Sequence, residues 1–180
     1  MKRNLIFTAT FIFGISLIAC KNDDKTKEEV QKDTQKEKVV EKTDKENEIL
    51  SFKTKEVEAA FLSYRKLKRS LVNSNVEEAN FMAKQFLKEN PTKDKDIQKL
   101  ITRIANSGDL EEQRTIFSTL TKKMESFLSG NIESGEIYKQ FCPMAFDNKG
   151  GFWLATNKEI MNPYFGDKML HCGSVKETIK

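Results

Sequence analysis

From Ile49 to Gly130 apolar residues recur every three or four positions, a spacing that predicts helices. Val57, Ala60, Phe61, Tyr64, Leu67 and Leu71 make one stripe, which should stop near Asn73-Ser74-Asn75. Asn75 with Glu78 fits a capping box: the Asn oxygen takes an orphan amide, and the Glu reaches back. Ala79, Met82, Ala83 and Phe86 line a second helix. Asn90-Pro91 ends it, because the residue before proline is pushed out of the helical region. Ile97, Leu100, Ile101 and Ile104 give a shorter third helix, broken at Ser107-Gly108. Asp109 with Glu112 repeats the capping pattern. Leu110, Ile116, Phe117, Leu120, Met124, Phe127 and Leu128 then line a fourth helix, closed by Ser129-Gly130. Short connections favour antiparallel neighbours, so the expected fold is mainly α, an antiparallel up-down bundle of about four helices.

Beyond Gly130 the helical period is lost. Ile137-Tyr138 and Phe141 suggest an extended run, and Asp147-Asn148-Lys149-Gly150-Gly151 is a turn cluster ahead of Phe152-Trp153-Leu154. A hairpin pairing the Phe141 and Trp153 regions is expected. Asn157 to Ile160 reads as one helical turn, Asn162-Pro163 as a tight turn and Gly166 as a position needing positive φ. Residues 131–180 thus form a small, irregular, short-β cap on the helices. Its aromatics Phe146, Phe152, Trp153, Tyr164 and Phe165 cover an end or flank of the bundle.

The start of the chain has a different pattern. Lys2 and Arg3 precede an apolar run from Leu5 to Ile18. That run falls short of the ~20 residues that span a bilayer comfortably and reads as a secretory signal. It ends in Leu17-Ile18-Ala19-Cys20, which resembles the bacterial lipobox. The resemblance implies cleavage before Cys20 and lipidation of its thiol, a firm anchor when several acyl chains are attached. Lys21 stands where an Asp would imply inner-membrane retention, and Lys21-Asn22-Asp23-Asp24 loosely resembles a surface-export signal. The expected place is the cell envelope, outer membrane favoured, facing either the periplasm or the exterior. Residues 21–48 are dense in Lys, Glu and Asp and cannot bury enough apolar surface to offset their ordering entropy. The division is therefore 1–19 signal peptide, 20–48 lipidated Cys and charged tether, and 49–180 helical domain with its cap. Mixed charge and a net of +4 name no partner, and nucleic acid is excluded for an exported chain.

Candidate chemistry is concentrated in the cap. It holds the one His and two of the three Cys. Monovalent copper prefers thiolate and thioether, with imidazole acceptable. Cys142 and Met144 sit two apart, on one face of an extended segment, and Met169 and His171 share that relation, with Cys172 next. If the two Cys meet, five donors converge: Cys142, Met144, Met169, His171 and Cys172. Met161 is a weaker sixth. The alternative is a Cys142–Cys172 disulfide, usual for an isolated pair in an oxidising compartment. Closing a loop of about 30 residues, it would add roughly 3 kcal/mol and pin the aromatic cap. Both readings stay open at this stage. Zinc wants four Cys or His ligands where three stand. His171 adjoins Cys172, but neighbours in extended chain point apart, and no Asn or Asp is placed to orient the imidazole. No phosphate loop, Ser-His-Asp arrangement or metalloprotease motif is present, so the chain is expected not to be an enzyme.

Cys142-Pro143-Met144-Ala145-Phe146, Gly150-Gly151-Phe152-Trp153-Leu154, Ile160-Met161-Asn162-Pro163-Tyr164-Phe165-Gly166 and Lys168-Met169-Leu170-His171-Cys172-Gly173 together resemble the signature of a bacterial domain of unknown function. That domain occurs in exported proteins and fused to periplasmic adaptor subunits of heavy-metal efflux pumps of the resistance-nodulation-division type. The resemblance extends upstream through Phe61 to Lys68 and Gln113 to Phe117. It implies association with copper or silver handling and, as partner, an efflux adaptor or another envelope protein.

Overall fold

The computed structural model describes residues 49–89 and 92–180. The signal segment, Cys20, the tether and the Asn90-Pro91 break lie outside the described residues. The chain is mainly helical, with small antiparallel sheets formed chiefly by its C-terminal part. Four long helices follow one another: α1 Lys55–Val72, α2 Val76–Glu89, α3 Lys95–Asn106 and α4 Leu110–Leu128. Each packs on the next in sequence, and α4 returns to α1. The apolar stripes turn inward: Ala60, Tyr64, Leu67, Leu71, Ala83, Ile97, Ile104, Phe117, Leu120 and Met124 have essentially no solvent exposure.

The caps follow the sequence in part. Asn75 Oδ1 accepts the Glu78 amide at 2.9 Å, and Asp109 Oδ1 accepts the Glu112 amide. The Glu112 carboxylate accepts from the Ser107 hydroxyl, while the Asp109 amide is held by Ser107 Oγ. Serine thus does the job that a reciprocal capping box assigns to glutamate. At the other end the structure corrects the expectation of helix from Ile49. Ser51–Phe52 is a short strand β1, and α1 begins only after Thr54, whose hydroxyl accepts the Val57 amide.

β1 pairs with β2 (Ile132–Ser134). The second sheet has the order β4-β3-β5, built from β3 Ile137–Cys142, β4 Gly151–Ala155 and β5 Ser174–Ile179. β3 and β4 form the expected hairpin, with Gln140 opposite Trp153 and Phe141 opposite Phe152. The sequence reading did not include β5. The expected helical turn over 157–160 is absent: that segment bends without a helix, and a short 3-10 turn forms instead at Gly166–Lys168. Among the described residues no helix is long and apolar enough to cross a membrane.

The cap is not laid over a finished helical body. Trp153, Leu154 and Tyr164 are part of the same core cluster as the helices. The Tyr64 hydroxyl, fully buried, accepts the Leu154 amide and is hydrogen-bonded to Thr121 Oγ1 at 2.8 Å, joining α1, α4 and the β4 edge. Burial holds that phenol far above its ordinary pKa, so it stays neutral.

Candidate metal-binding cap

The sheet register brings the two cysteines together. Cys142 ends β3 opposite Gly151, while Phe141 pairs with Ser174 at the start of β5. Cys172 lies two residues before that start, so the antiparallel pairing delivers it to the end of β3. The sulfurs of Cys142 and Cys172, thirty residues apart in sequence, are 3.1 Å apart. Both are free thiols, Cys142 buried and Cys172 half-buried. The Cys172 thiol is pushed up from its ordinary pKa, first by its hydrogen bond to Cys142, then by burial and by that neighbour's charge.

The segment carrying Cys172 is fixed from beneath. The Asn162 amide side chain, fully buried, donates to the Cys172 carbonyl at 2.9 Å, and its Oδ1 accepts the Tyr164 amide at 2.8 Å. The Asn162 backbone N–H donates to Leu170, and the Cys172 N–H closes a turn onto Met169. Gly173 leaves no room for a side chain, since a Cβ would sit 2.9 Å from the Phe141 carbonyl and from the Trp153 ring. The Tyr164 hydroxyl donates to the Phe152 carbonyl. Trp153 donates its indole N–H to Gln140 Oε1, and the Gln140 amide donates to the carbonyls of Asn157 and Glu159. Gln140 is fully buried, and this network sets the path of the 156–160 segment.

Arg114 joins this segment to the helices. Nearly unexposed, it donates to the Pro163 carbonyl at 2.9 Å, to Ser74 Oγ at 3.0 Å and to Glu111 at 2.6 Å. Gly166, at φ +56°, packs where a Cβ would lie 2.3 Å from Ser74 Oγ and 2.7 Å from the Val72 carbonyl. Sequence reasoning took Asn162, Pro163 and Gly166 as turn residues and gave Arg114 and Gln140 no role. A polar residue on an otherwise apolar stripe was the available signal for Arg114, between Leu110 and Phe117. Gln140 had none beyond its place in a strand.

The other soft donors lie beside the pair in sequence. Met144 is exposed, on the turn after Cys142, and Met169 is half-buried, on the turn before Cys172. His171 is exposed, and its Nδ1 is 2.9 Å from the Ile160 carbonyl. A carbonyl only accepts, so Nδ1–H is the donor in this contact and Nε2 is the ring nitrogen left outside it. Met161 is half-buried and lines a groove against α1. Among the described residues no three His, Cys, Asp or Glu side chains form a metal-binding group. Of the proposed donors, then, the structure brings the two sulfurs of cysteine into contact and ties His171 to a backbone carbonyl instead.

Backbone strain follows Cys142 closely. Inside the turn Ala145–Asn148, Phe146, Asp147 and Asn148 have φ of +54°, +56° and +65°. The left-handed region costs an ordinary L-residue roughly 1–2 kcal/mol, a penalty that falls chiefly on Phe146, since Asp and Asn enter it more readily. Packing offsets part of this: the Phe146 ring meets Tyr164 edge-on at 4.9 Å, and the Gly150 amide donates to the Ala145 carbonyl.

Residues 60–135 match the family model described as protein of unknown function (DUF3347). The DUF3347 match runs from α1 to β2 and stops before Cys142. It therefore covers the helices and not the motifs that bracket the cap. No curated protein and no solved structure matches the chain.

Proposed function

We propose that this chain is a lipid-anchored cell-envelope protein whose cap binds monovalent copper or silver, as an accessory to efflux or metal homeostasis. The 3.1 Å approach of Cys142 and Cys172 carries this reading. Two thiols in contact offer a soft cation its preferred donors once deprotonated. His171, with Nδ1 engaged by Ile160, has Nε2 as its free donor, the arrangement in which a backbone carbonyl orients a ligating imidazole. Met144 and Met169 would supply thioethers from the flanking turns. The ion is cargo, and no catalytic step is assigned. The helices, taken as an up-down bundle, form the platform. Cys20 holds the chain at the membrane, outer membrane favoured, and a periplasmic efflux adaptor or another envelope protein receives the ion.

Titration of the reduced chain with monovalent copper against a chromogenic chelator tests the reading. One ion per chain is expected, with binding abolished when both cysteines are serine. Replacing Met144, Met169 and His171 together should weaken it at least tenfold, about 1.4 kcal/mol. Affinity unchanged in both variants rejects the site.

The same contact supports a second reading, a structural disulfide that pins an aromatic cap. Disulfides persist in oxidising compartments, and the pair is already adjacent. Thiol counting on protein taken from such a compartment without reductant separates the two: two reactive thiols exclude the disulfide, and none supports it.

A further inference from the structure

A groove of about 540 Å³ runs between α1 and the 155–161 segment. That is the size of a small-molecule cleft. Arg65, Lys66, Lys68 and Arg69 line it from α1, and Glu159 is the one acid among its walls. Among the described residues no ion pair includes Lys66, Lys68 or Arg69. Lys68 is half-buried, and its ammonium donates to the Leu154 carbonyl at 3.4 Å, which engages one of its three donors. Leu62, almost half exposed, and Met161 add apolar wall.

We propose that this groove binds an organic anion, a phosphate or carboxylate head carried on an apolar body. Arg69 lines the groove with a guanidinium fork, the donor geometry that takes paired carboxylate or phosphate oxygens. Lys68 adds a point charge from the floor, and the apolar wall receives the body. Burial, and then the Arg65 charge, hold Lys68 down to a pKa of about 8 in the empty groove. A bound anion relieves both costs, so binding is coupled to keeping the Lys68 proton. The other charged groups facing Lys68 are Lys66 and Arg69 on its own helix and Glu159 across the groove.

The test is calorimetric titration of the full chain with phenyl phosphate, benzoate, inorganic phosphate and benzyl alcohol. Saturable binding of phenyl phosphate or benzoate is expected, at least tenfold tighter than either inorganic phosphate or the neutral alcohol. Lys68→Met and Arg69→Ala should each weaken it about tenfold, and Glu159→Gln should tighten it severalfold. Binding should fall between pH 7 and 9.5 in the parent chain and lose most of that slope in Lys68→Met. The Lys68→Met protein should melt no lower than the parent, which separates lost binding from lost fold. No saturable binding of either aromatic anion at about 10 mM, or undiminished affinity in Lys68→Met, overturns the proposal. Equal affinity for inorganic phosphate or for benzyl alcohol overturns it as well. Replacing Cys142 and Cys172 by serine should leave anion affinity unchanged, so this site and the copper site stand or fall separately.

Discussion

Asn162 shows how much a single side chain can organise. It sits under the cap with no exposure and holds both the Cys172 carbonyl and the Tyr164 amide. Replacing it by Ala leaves both groups without that partner, at a cost of about 1–3 kcal/mol for each group left unsatisfied. The Asn162→Ala protein should melt several degrees lower, and Cys172 should alkylate faster than in the parent. Unchanged alkylation would mean that the cysteine turn holds itself. Lys68 acts in the opposite sense. Its folded pKa, about 8, lies below the ordinary lysine value of 10.5. Below pH 8 both folded and unfolded chains carry the charge, and the folded state bears the full desolvation cost. Between pH 8 and 10.5 the folded state gives up the proton first, so this group's contribution to stability rises with pH. Lys68→Met should therefore raise the melting point by a few degrees at pH 7, with the gain shrinking toward pH 10. Comparing the two chains at each pH cancels the Cys172 thiol, whose raised pKa acts the other way across part of the same range. Neither residue was legible from sequence: Asn162 reads as a turn residue beside Pro163, and Lys68 as one more cation on a charged helix. Tertiary placement alone gives each its energy.

Among the elements, helices were legible and strands less so. A stripe such as Val57-Phe61-Tyr64-Leu67-Leu71 repeats its period often enough to declare its face. β5 has only Val175 and Ile179 among charged and polar neighbours, and its pairing with β3 slips between Lys139 and Gln140. β1 spans two residues, too few for any period. Yet β5 governs the candidate site, because its seating beside β3 is what carries Cys172 to Cys142. Ending the chain after Gly173 removes β5 and should separate the thiols. Oxidation by a mild disulfide reagent would then yield mainly mixed disulfides instead of the intrachain bond, as read by mass spectrometry. Efficient intrachain closure in the shortened chain would show that Asn162 and Gly173 suffice.

For the whole molecule, the division into helical body and cap is one of sequence pattern, not of packing. Tyr64 and Phe117 stack at 5.0 Å, Phe117 meets Tyr164, and Tyr164 meets Trp153. Apolar surface therefore runs unbroken from α1 and α4 into the cap. A fragment of residues 49–135, which includes all of the DUF3347 match, lacks Trp153, Leu154 and Tyr164 and would expose the faces they cover. It should show helical circular dichroism without a sharp thermal transition, whereas a cooperative melt like that of the full chain would make the helices independent. The sequence holds one tryptophan, and it is buried against Gly173, next to Cys172. The protein thus carries a built-in optical reporter: emission from that single indole should be blue-shifted at rest, quenched by a heavy ion held on the neighbouring sulfurs, and red-shifted when the tail lifts away.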